Sequence, residues 1–203
     1  MLAGIYGIVD RSLVKRPVAF LDEILAAGIR VVQYRAKAGV EREVVRAMLE
    51  RTRAVGAILI VNDDFEVALE ADGWHAGQED LAGRDVVALR AQLGTRVFGV
   101  SCGVAGEARA AAEAGADYVG TGPFAATATK GDAGPAIGIE GVRAVVRATS
   151  LPVVAIGGID ANNLAEVKST GAAMAAVVSA LTRSGDPRRA AAQLIARWNA
   201  PPA

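Results

Sequence analysis

Short apolar runs alternate along the chain with longer segments in which apolar residues recur at helical spacing. β-branched residues fill the short runs, and Ala-rich amphipathic stretches separate them. This alternation is typical of repeated strand–helix units around a parallel sheet. The pattern predicts eight strands, at residues 5–9, 31–34, 57–61, 73–75, 97–100, 118–120, 153–156 and 175–178.

The intervening segments predict helices, and glycines follow several of them. The helical segments are 18–27, 42–55, 65–69, 86–93, 105–114, 141–148, 161–170 and 187–198. Gly28, Gly115 and Gly171 each stand just past a helix end, where a positive φ angle is cheap for glycine. A doubly wound open sheet would also explain the alternation, but eight strands without a long edge connection favour closure. We therefore expect a single-domain (β/α)8 TIM barrel over residues 1–203.

Composition and charge narrow the classes of partner. Hydrophobic residues make up 52% of the chain and aromatic residues 4%, so the core is built mainly from Ala, Val, Ile and Leu. The 22 basic and 22 acidic residues cancel, which leaves no global field to attract nucleic acid or an anionic membrane. We expect neither partner, and any anionic small molecule must be held locally.

The single cysteine and the first residues of the chain bear on the cellular compartment of the protein. Cys102 cannot form an internal disulfide, and the first residues, MLAGIYGIVDR, lack the basic start and apolar run of a secretory signal. No apolar stretch approaches the roughly 20 residues of a membrane helix. A cytoplasmic protein is expected, while the oligomeric state is left open and a homo-oligomer is allowed for.

The end of the second predicted strand carries three polar side chains. Gln33, Arg35 and Lys37 point to one side if the strand alternation continues. In a barrel, the rim at the carboxyl ends of the strands holds the active site. These side chains therefore either converge on a ligand there or form an ordinary solvated strand exit.

Carboxylates follow the third and fourth strands. Asn62 and Asp63 come directly after one strand, and Asp80 follows the next. Two carboxylates with water or phosphate oxygens suit Mg²⁺ (magnesium), so Asp63 and Asp80 are candidate ligands. The neighbouring acids Asp64 and Glu79 instead suit helix starts, where negative charge complements the dipole.

The sole histidine, His75, lies within the fourth strand. Its imidazole could act as a general base, or it could be a packed and hydrogen-bonded group. Nothing nearby resembles a nucleophile pair, and Cys102 also lacks a visible partner.

The last two strands predict a phosphate site. Gly157 and Gly158 follow the apolar run "LPVVAI", and "AAVVSAL" ends the eighth strand at Val178 and Ser179. Glycines before a helix allow a phosphate to approach backbone N–H groups. The loops after strands seven and eight bind phosphate in many barrels. The Gly- and Ala-rich segment 127–138 is either an exposed loop or a lid over such a site.

Several motifs occur in a family-specific order along nearly the whole chain. They are "VVQYRAK", "VNDD", "ADGWHAGQED", "FGVSC", "GADYVGTGPFAATATK", "VVAIGGI" and "VVSAL". In these motifs the chain resembles the thiamine phosphate synthase and thiazole tautomerase family. The resemblance implies a transferase that joins hydroxymethylpyrimidine diphosphate to thiazole phosphate. By this resemblance, pyrophosphate would leave first and the thiazole nitrogen would capture the resulting pyrimidine carbocation.

The resemblance also implies roles for individual residues. Magnesium would bind Asp63 and Asp80, while the diphosphate would be neutralised by Arg35, Lys37, Asn62 and Lys130. Gln33 and Ser101 would meet the pyrimidine or its diphosphate. Thr127 and Thr129 would contact the thiazole phosphate or pyrophosphate. The thiazole phosphate would also be held by main-chain donors of Gly157, Gly158, Val178 and Ser179.

Two departures from the family pattern and two rival functions follow. Gly103 stands where members commonly carry histidine, and the segment from Asp63 to Gly77 looks slightly short, which could shift Asp80 relative to Asp63. Thiazole tautomerases typically lose the acid at Asp63 and carry a histidine where this chain has Pro123, so both positions favour the synthase. A noncatalytic barrel that binds a phosphorylated ligand is the other alternative, since fold alone does not establish function.

Overall fold

Eight parallel strands close into one barrel in chain order. We describe residues 2–127 and 134–201 of a computed structural model. Each strand pairs in parallel with its neighbours, and β1 pairs with β8 to complete the circle. The strands are β1 Gly4–Asp10, β2 Val31–Arg35, β3 Ile58–Asn62, β4 Gly73–Ala76, β5 Val97–Ser101, β6 Tyr118–Thr121, β7 Val153–Ile156 and β8 Met174–Val177.

Helices connect successive strands around the outside of the barrel. They are α1 Pro17–Ala26, α2 Arg42–Ala54, α3 Phe65–Ala68, α4 Gln78–Leu81, α5 Val86–Leu93, α6 Ala105–Glu113, α7 Gly138–Ala148, α8 Leu164–Ser169, α9 Ser179–Thr182 and α10 Pro187–Asn199. Within the described ranges, none of these helices has the length and apolarity needed to cross a membrane.

Apolar side chains form two separate cores because the strands are buried on both faces. The outer core lies between strands and helices and includes Val9, Leu21 and Phe98. A smaller core fills the barrel and includes Tyr6 and Met174. Burial on both faces explains why these strands are continuous apolar runs rather than alternating ones. The TIM-barrel prediction is confirmed.

The observed elements differ from the predicted ones mainly after β7 and β8. The predicted helix 161–170 begins only at Leu164, because side-chain hydrogen bonds hold the preceding residues in turns. The Asp160 carboxylate accepts from Asn162 N at 2.7 Å, and the Asn163 amide donates to Gly158 O at 2.7 Å. Strand β8 ends at Val177, so Val178 precedes the short α9, which is too short to show periodicity in the sequence.

Candidate active site

A cavity of about 380 Å³ opens at the carboxyl ends of the strands. Most of the predicted site residues line it, although they come from distant parts of the chain. The predicted residues in its wall are Gln33, Arg35, Lys37, Asn62, Asp63, Ser101, Thr127, Gly157, Gly158, Val178 and Ser179. A closed parallel barrel brings all its strand ends to one rim, which explains the convergence.

Three other predicted residues are placed differently. Asp80 lies beside Asp63 without forming part of the cavity wall. Thr129 and Lys130 fall outside the described residues, so their roles stay predictions.

A charged rim surrounds the mouth of this cavity, and we use that name for Asp10, Arg35, Lys37, Asp63 and Asp80. Within it, Arg35 Nη1 donates to Asp10 Oδ2 at 2.5 Å. Asp10 ends β1 and is only 4% exposed. Its second oxygen accepts from Ser12 N at 2.9 Å and from Ser12 Oγ at 2.5 Å. Arg35 is therefore held against a fully engaged carboxylate.

The hydrogen bonds at Asp10 decide its charge. Burial alone would raise the pKa of the Asp10 carboxyl, but donation from Ser12 and the bond and charge of Arg35 outweigh it and lower the pKa. Asp10 was not among the predicted site residues. The signal that could have found it is a carboxylate directly after the apolar run of β1, at the rim where Arg35 and Asp63 were recognised.

Asp63 occupies a strained position at the end of β3. Its φ angle of 65° makes it the one non-glycine residue with positive φ in the described chain. Two backbone contacts hold it, since Asp63 N donates to His75 O at 3.0 Å and Trp74 Nε1 donates to Asp63 O at 3.1 Å. The strain thus directs a carboxylate into the mouth of the cavity.

Asp63 and Asp80 form a pair of like charges. Partial burial, followed by the charge of Asp80, raises the pKa of Asp63, although the charges of Arg35 and Lys37 oppose the shift. Asp80 Oδ2 also accepts from Gly77 N at 2.7 Å, which anchors it at the start of α4. The short segment between Asp63 and Gly77 therefore does not separate the two carboxylates.

This pair fits a divalent cation. Two carboxylates whose mutual repulsion raises the pKa of Asp63 are stabilised when a cation lies between them. In residues 2–127 and 134–201, this pair included, no three His, Cys, Asp or Glu side chains gather in a group that could hold a metal. A pair with open positions matches the preference of Mg²⁺ for few protein ligands.

The nearby acids Asp64 and Glu79 have the structural positions expected of them. Asp64 caps α3 by accepting from Val67 N at 3.0 Å, and Glu79 lies in the first turn of α4. Both complement a helix N-terminus. The interpretation of Asp64 and Glu79 as helix-start residues is thus confirmed.

Below the charged rim, five uncharged polar side chains are hydrogen-bonded in series across the barrel interior. Gln33 Nε2 donates to Tyr6 OH at 3.1 Å, and Tyr6 OH lies 2.9 Å from Tyr118 OH. Tyr118 OH lies 2.8 Å from His75 Nδ1, and His75 Nε2 lies 3.0 Å from Ser101 Oγ. We call Gln33, Tyr6, Tyr118, His75 and Ser101 the neutral chain.

Burial keeps the neutral chain uncharged. It lowers the pKa of His75 to about 4 and raises the pKa of both Tyr6 and Tyr118. His75 is 8% exposed with both ring nitrogens engaged, which matches the packed, hydrogen-bonded alternative of the two expected for it. Burial, and then the charge of Glu107, raises the pKa of Cys102 to about 12, so its thiol stays protonated near neutrality.

Two glycines shape the opposite wall of the cavity. Gly157 and Gly158 have φ angles of 95° and 64°, which other residues rarely adopt. A Cβ at Gly157 would lie 2.5 Å from Pro123 Cβ, and one at Gly158 would lie 2.7 Å from Ala126 O. Only glycine therefore lets the loop after β7 pass beneath residues 123–126 with its backbone facing the cavity.

A family model described as thiamine monophosphate synthase matches residues 5–181. The chain belongs to this family. Named thiamine-phosphate synthases are similar along most of the chain. The one from Chloroflexus aurantiacus is 44% identical over 87% of this chain and 82% of its own length. The one from Archaeoglobus fulgidus is 41% identical over 95% of this chain and 91% of its own length.

Among solved structures, a member of the same family superposes on this chain, and proteins with other names share its fold. A thiamine phosphate pyrophosphorylase from Pyrococcus furiosus superposes with a TM-score of 0.87 at 34% identity, over 97% of this chain and 95% of that one. A 3-hexulose-6-phosphate synthase has a TM-score of 0.66 at 16% identity, over 96% and 99% of the two chains. The second likeness concerns the fold alone. The family resemblance in the motifs is thus confirmed.

Proposed function

We propose that this chain is a transferase that joins hydroxymethylpyrimidine diphosphate to thiazole phosphate, giving thiamine phosphate and pyrophosphate. Relatives that cover most of both chains are named for this activity. The observation that carries the proposal is the layout of the cavity. Cationic and acidic side chains follow β2 to β4, and the glycine loop follows β7 on the opposite side of the closed barrel.

Two separate anion-binding sites in one cavity suit two phosphorylated substrates. The diphosphate would lie against Arg35, Lys37 and Asn62, whose 8% exposed amide makes no side-chain hydrogen bond within the described chain. The thiazole phosphate would lie against the backbone of Gly157 and Gly158, with Val178 and Ser179 beside it. The rings of the two substrates then meet between these sites.

The reaction needs charge stabilisation more than a nucleophile. The C–O bond to the diphosphate breaks, pyrophosphate takes the electron pair, and the thiazole nitrogen then forms the new C–N bond to the pyrimidine methylene carbon. Arg35, held by Asp10, presents fixed positive charge where negative charge develops. Lys37 would add a second cation, and Lys130 a third by resemblance. Thr127 and Thr129 would contact thiazole phosphate or pyrophosphate.

Asp63 and Asp80 would hold Mg²⁺, which when bound supplies positive charge to the phosphate oxygens of the leaving group. Because Asp63 follows β3 and Asp80 follows β4, a cation held by the two carboxylates would lie on that side of the cavity. The glycine loop across the barrel remains available for the second, monophosphorylated substrate.

The test is turnover of the pyrimidine diphosphate with thiazole phosphate, with and without Mg²⁺, followed by chromatography of thiamine phosphate and pyrophosphate. We expect both products in equal amounts and only with Mg²⁺. Asp63→Ala and Lys130→Ala should abolish most turnover, whereas Asp64→Asn, which keeps a helix-capping side chain, should not. Folded protein that forms neither product would overturn the proposal, and an assay for tautomerisation of the thiazole carboxylate phosphate would then test the rival activity.

Four further expectations, on substrates, other partners, location and oligomeric state, belong to the same proposal. The substrates are small molecules, nucleic acid and membrane are not partners, and the protein acts in the cytoplasm, as a homo-oligomer or a monomer. Sedimentation of the full chain at several concentrations would determine the oligomeric state.

A further inference from the structure

The neutral chain begins at a group that can only donate. Gln33 Nε2 carries two hydrogens and accepts none, so Tyr6 OH must accept at that contact. Each later member can accept or donate, and each is bonded to the next at 2.8 to 3.0 Å. The donor-to-acceptor direction of the whole series therefore depends on whether the Tyr6 hydroxyl donates its hydrogen to Tyr118.

Only one donor-to-acceptor direction along the neutral chain gives every buried hydroxyl and imidazole hydrogen an acceptor. If Tyr6 donates to Tyr118, then Tyr118 donates to His75 Nδ1, and His75 Nε2–H donates to Ser101 Oγ. If Tyr118 instead donates to Tyr6, the Tyr6 hydrogen has no acceptor within the described chain, although the residue is 2% exposed. An unpaired buried donor is costly, which selects the first direction.

Rigid packing preserves this direction. The Tyr118 ring stacks on His75 with 5.4 Å between centroids and meets the edge of Tyr6 at 6.0 Å. Gly99 lies against the same ring, since a Cβ there would come within 2.1 Å of Tyr118 Cζ. The Tyr118 ring is thus packed against His75, Tyr6 and Gly99, which holds its hydroxyl between those of its two hydrogen-bond partners.

Both ends of the neutral chain face the cavity with one atom left to use. Gln33 Oε1 accepts no hydrogen bond from the described residues, and the Ser101 hydroxyl hydrogen has no acceptor among them. We infer that Tyr6, Tyr118 and His75 are positioning residues that fix Gln33 as an acceptor and Ser101 as a donor toward the ligand. The inference rests on the proposed function and extends it to residues outside the predicted site.

This polarity selects a class of ligand. A ring bound between the two ends must offer an N–H to Gln33 and a lone pair to Ser101. An aminopyrimidine has both, in its amino group and its ring nitrogens, whereas a pyrimidine without the amino group leaves the buried Gln33 oxygen unpaired. Sites of this kind discriminate strongly, because the missing hydrogen bond cannot be replaced by water.

The first experiment reads the direction without any substrate. His75 is the only histidine in the chain, so a ¹⁵N spectrum of tag-free protein labelled at histidine reports its tautomer without assignment. We expect hydrogen on Nε2 and none on Nδ1. Hydrogen on Nδ1 would overturn the inference whether or not the protein forms thiamine phosphate.

The second experiment breaks the chain in its middle. Tyr118→Phe keeps the ring and removes the hydroxyl that links Tyr6 to His75. Tyr34→Phe is the matched control, because Tyr34 is also buried but its hydroxyl donates to Glu41 on the helix side at 2.9 Å. Calorimetry would compare the Kd of the aminopyrimidine monophosphate with that of an analogue carrying hydrogen in place of the amino group. Binding is measured because the amino group also affects the rate of ionisation.

We expect wild-type protein and Tyr34→Phe to prefer the amino ligand by about 100-fold or more, and Tyr118→Phe to lose about tenfold of that preference. Weaker binding of both ligands by the same factor would mean that Tyr118 has only a structural role and would overturn the inference. If neither ligand binds wild-type protein, the proposed function fails, while the tautomer of His75 still tests the direction of the chain.

Discussion

The charged rim and the neutral chain are both polar, but they differ in how far their polar groups are paired within the protein. In the charged rim, Asp63 and Asp80 repel each other and the backbone at Asp63 is strained. In the neutral chain, every contact between members is a hydrogen bond of ordinary length, and burial keeps His75 uncharged. The rim thus contains an incompletely compensated repulsion between two carboxylates, whereas the neutral chain is satisfied apart from its two ends.

This difference between the two regions follows from how deep each lies in the barrel. Charges at the mouth remain near water and can be balanced when a diphosphate and a cation arrive. A charge inside the barrel would lack that compensation, so recognition there relies on neutral donors and acceptors. The rim therefore suits the part of the reaction in which charge moves, and the interior suits recognition of the ring.

The largest effect is expected from removing one charge of the acidic pair. Asp63→Asn should lower kcat by about 10³-fold, because Asn accepts the positive φ but supplies no charge for a cation. Steady-state rates at saturating Mg²⁺ check this. A variant within tenfold of wild type would contradict the role given to Asp63.

The same substitution should stabilise the protein without Mg²⁺. Because the pKa of Asp63 is raised on folding, the folded state loses stability as the pH rises through the carboxylate range, and Asn avoids that loss. We expect a gain of less than about 1 kcal/mol at pH 7, since water screens the pair. Urea unfolding at pH 7 and in acid, where the gain should vanish, measures it.

The next effect concerns the partner of Arg35. Asp10→Asn should raise KM for the pyrimidine diphosphate by about 30-fold and destabilise the protein by about 2 kcal/mol, because Arg35 loses both its charge partner and its fixed direction. Glu70→Gln is the control, since Glu70 pairs with Arg42 and Arg46 at the exposed surface and should change stability by less than about 1 kcal/mol. Equal effects of the two substitutions would contradict the role of Asp10.

The neutral chain should make the stability of the protein depend on pH through His75. The folded pKa of His75 is about 4 and the unfolded value is 6.5, so the unfolded chain binds a proton first. The stability that His75 contributes is complete above pH 6.5 and is lost as the pH falls toward 4. Between pH 6.5 and 5 we expect a loss of about 2 kcal/mol.

His75→Gln removes this titration and serves as the comparison. Its unfolding free energy should be nearly level over the same interval, which lies above the range in which most carboxylates titrate. Denaturant unfolding at several pH values measures both proteins. Parallel pH profiles would show that His75 is not the group responsible.

The smallest expected effect is the dependence of KM on ionic strength, which should involve the charged rim but not the neutral chain. Raising the ionic strength from about 0.05 to about 0.5 M should raise KM for the diphosphate by about threefold, because the charged rim is screened. Tyr118→Phe should show the same salt dependence as wild type, and Arg35→Gln a weaker one. A Tyr118→Phe enzyme that loses its salt dependence would contradict the separation.

The sequence predicted the strands well because each is an apolar run between polar helices. All eight predicted strands are present, and no strand end is shifted by more than one residue. The predicted helix 161–170 started too early because Asp160 and Asn163 form local hydrogen bonds that compete with a helix. Of the three four-residue helices, α3 was predicted at 65–69 and α4 only as a helix start at Glu79, while α9 was not predicted.

Charged residues at strand ends were also visible in the sequence, which is why Arg35, Lys37, Asp63 and Asp80 could be named before the fold was known. Asp10 ends a strand in the same way but was missed, since its importance comes from Arg35 on the neighbouring strand. The sequence alone therefore determined the barrel, the family and every member of the charged rim except Asp10, because alternation and strand-end chemistry are local along the chain. Only the tertiary structure decided that Gln33, Tyr6, Tyr118, His75 and Ser101 are joined, because closing the barrel brings five strands together that lie far apart in sequence.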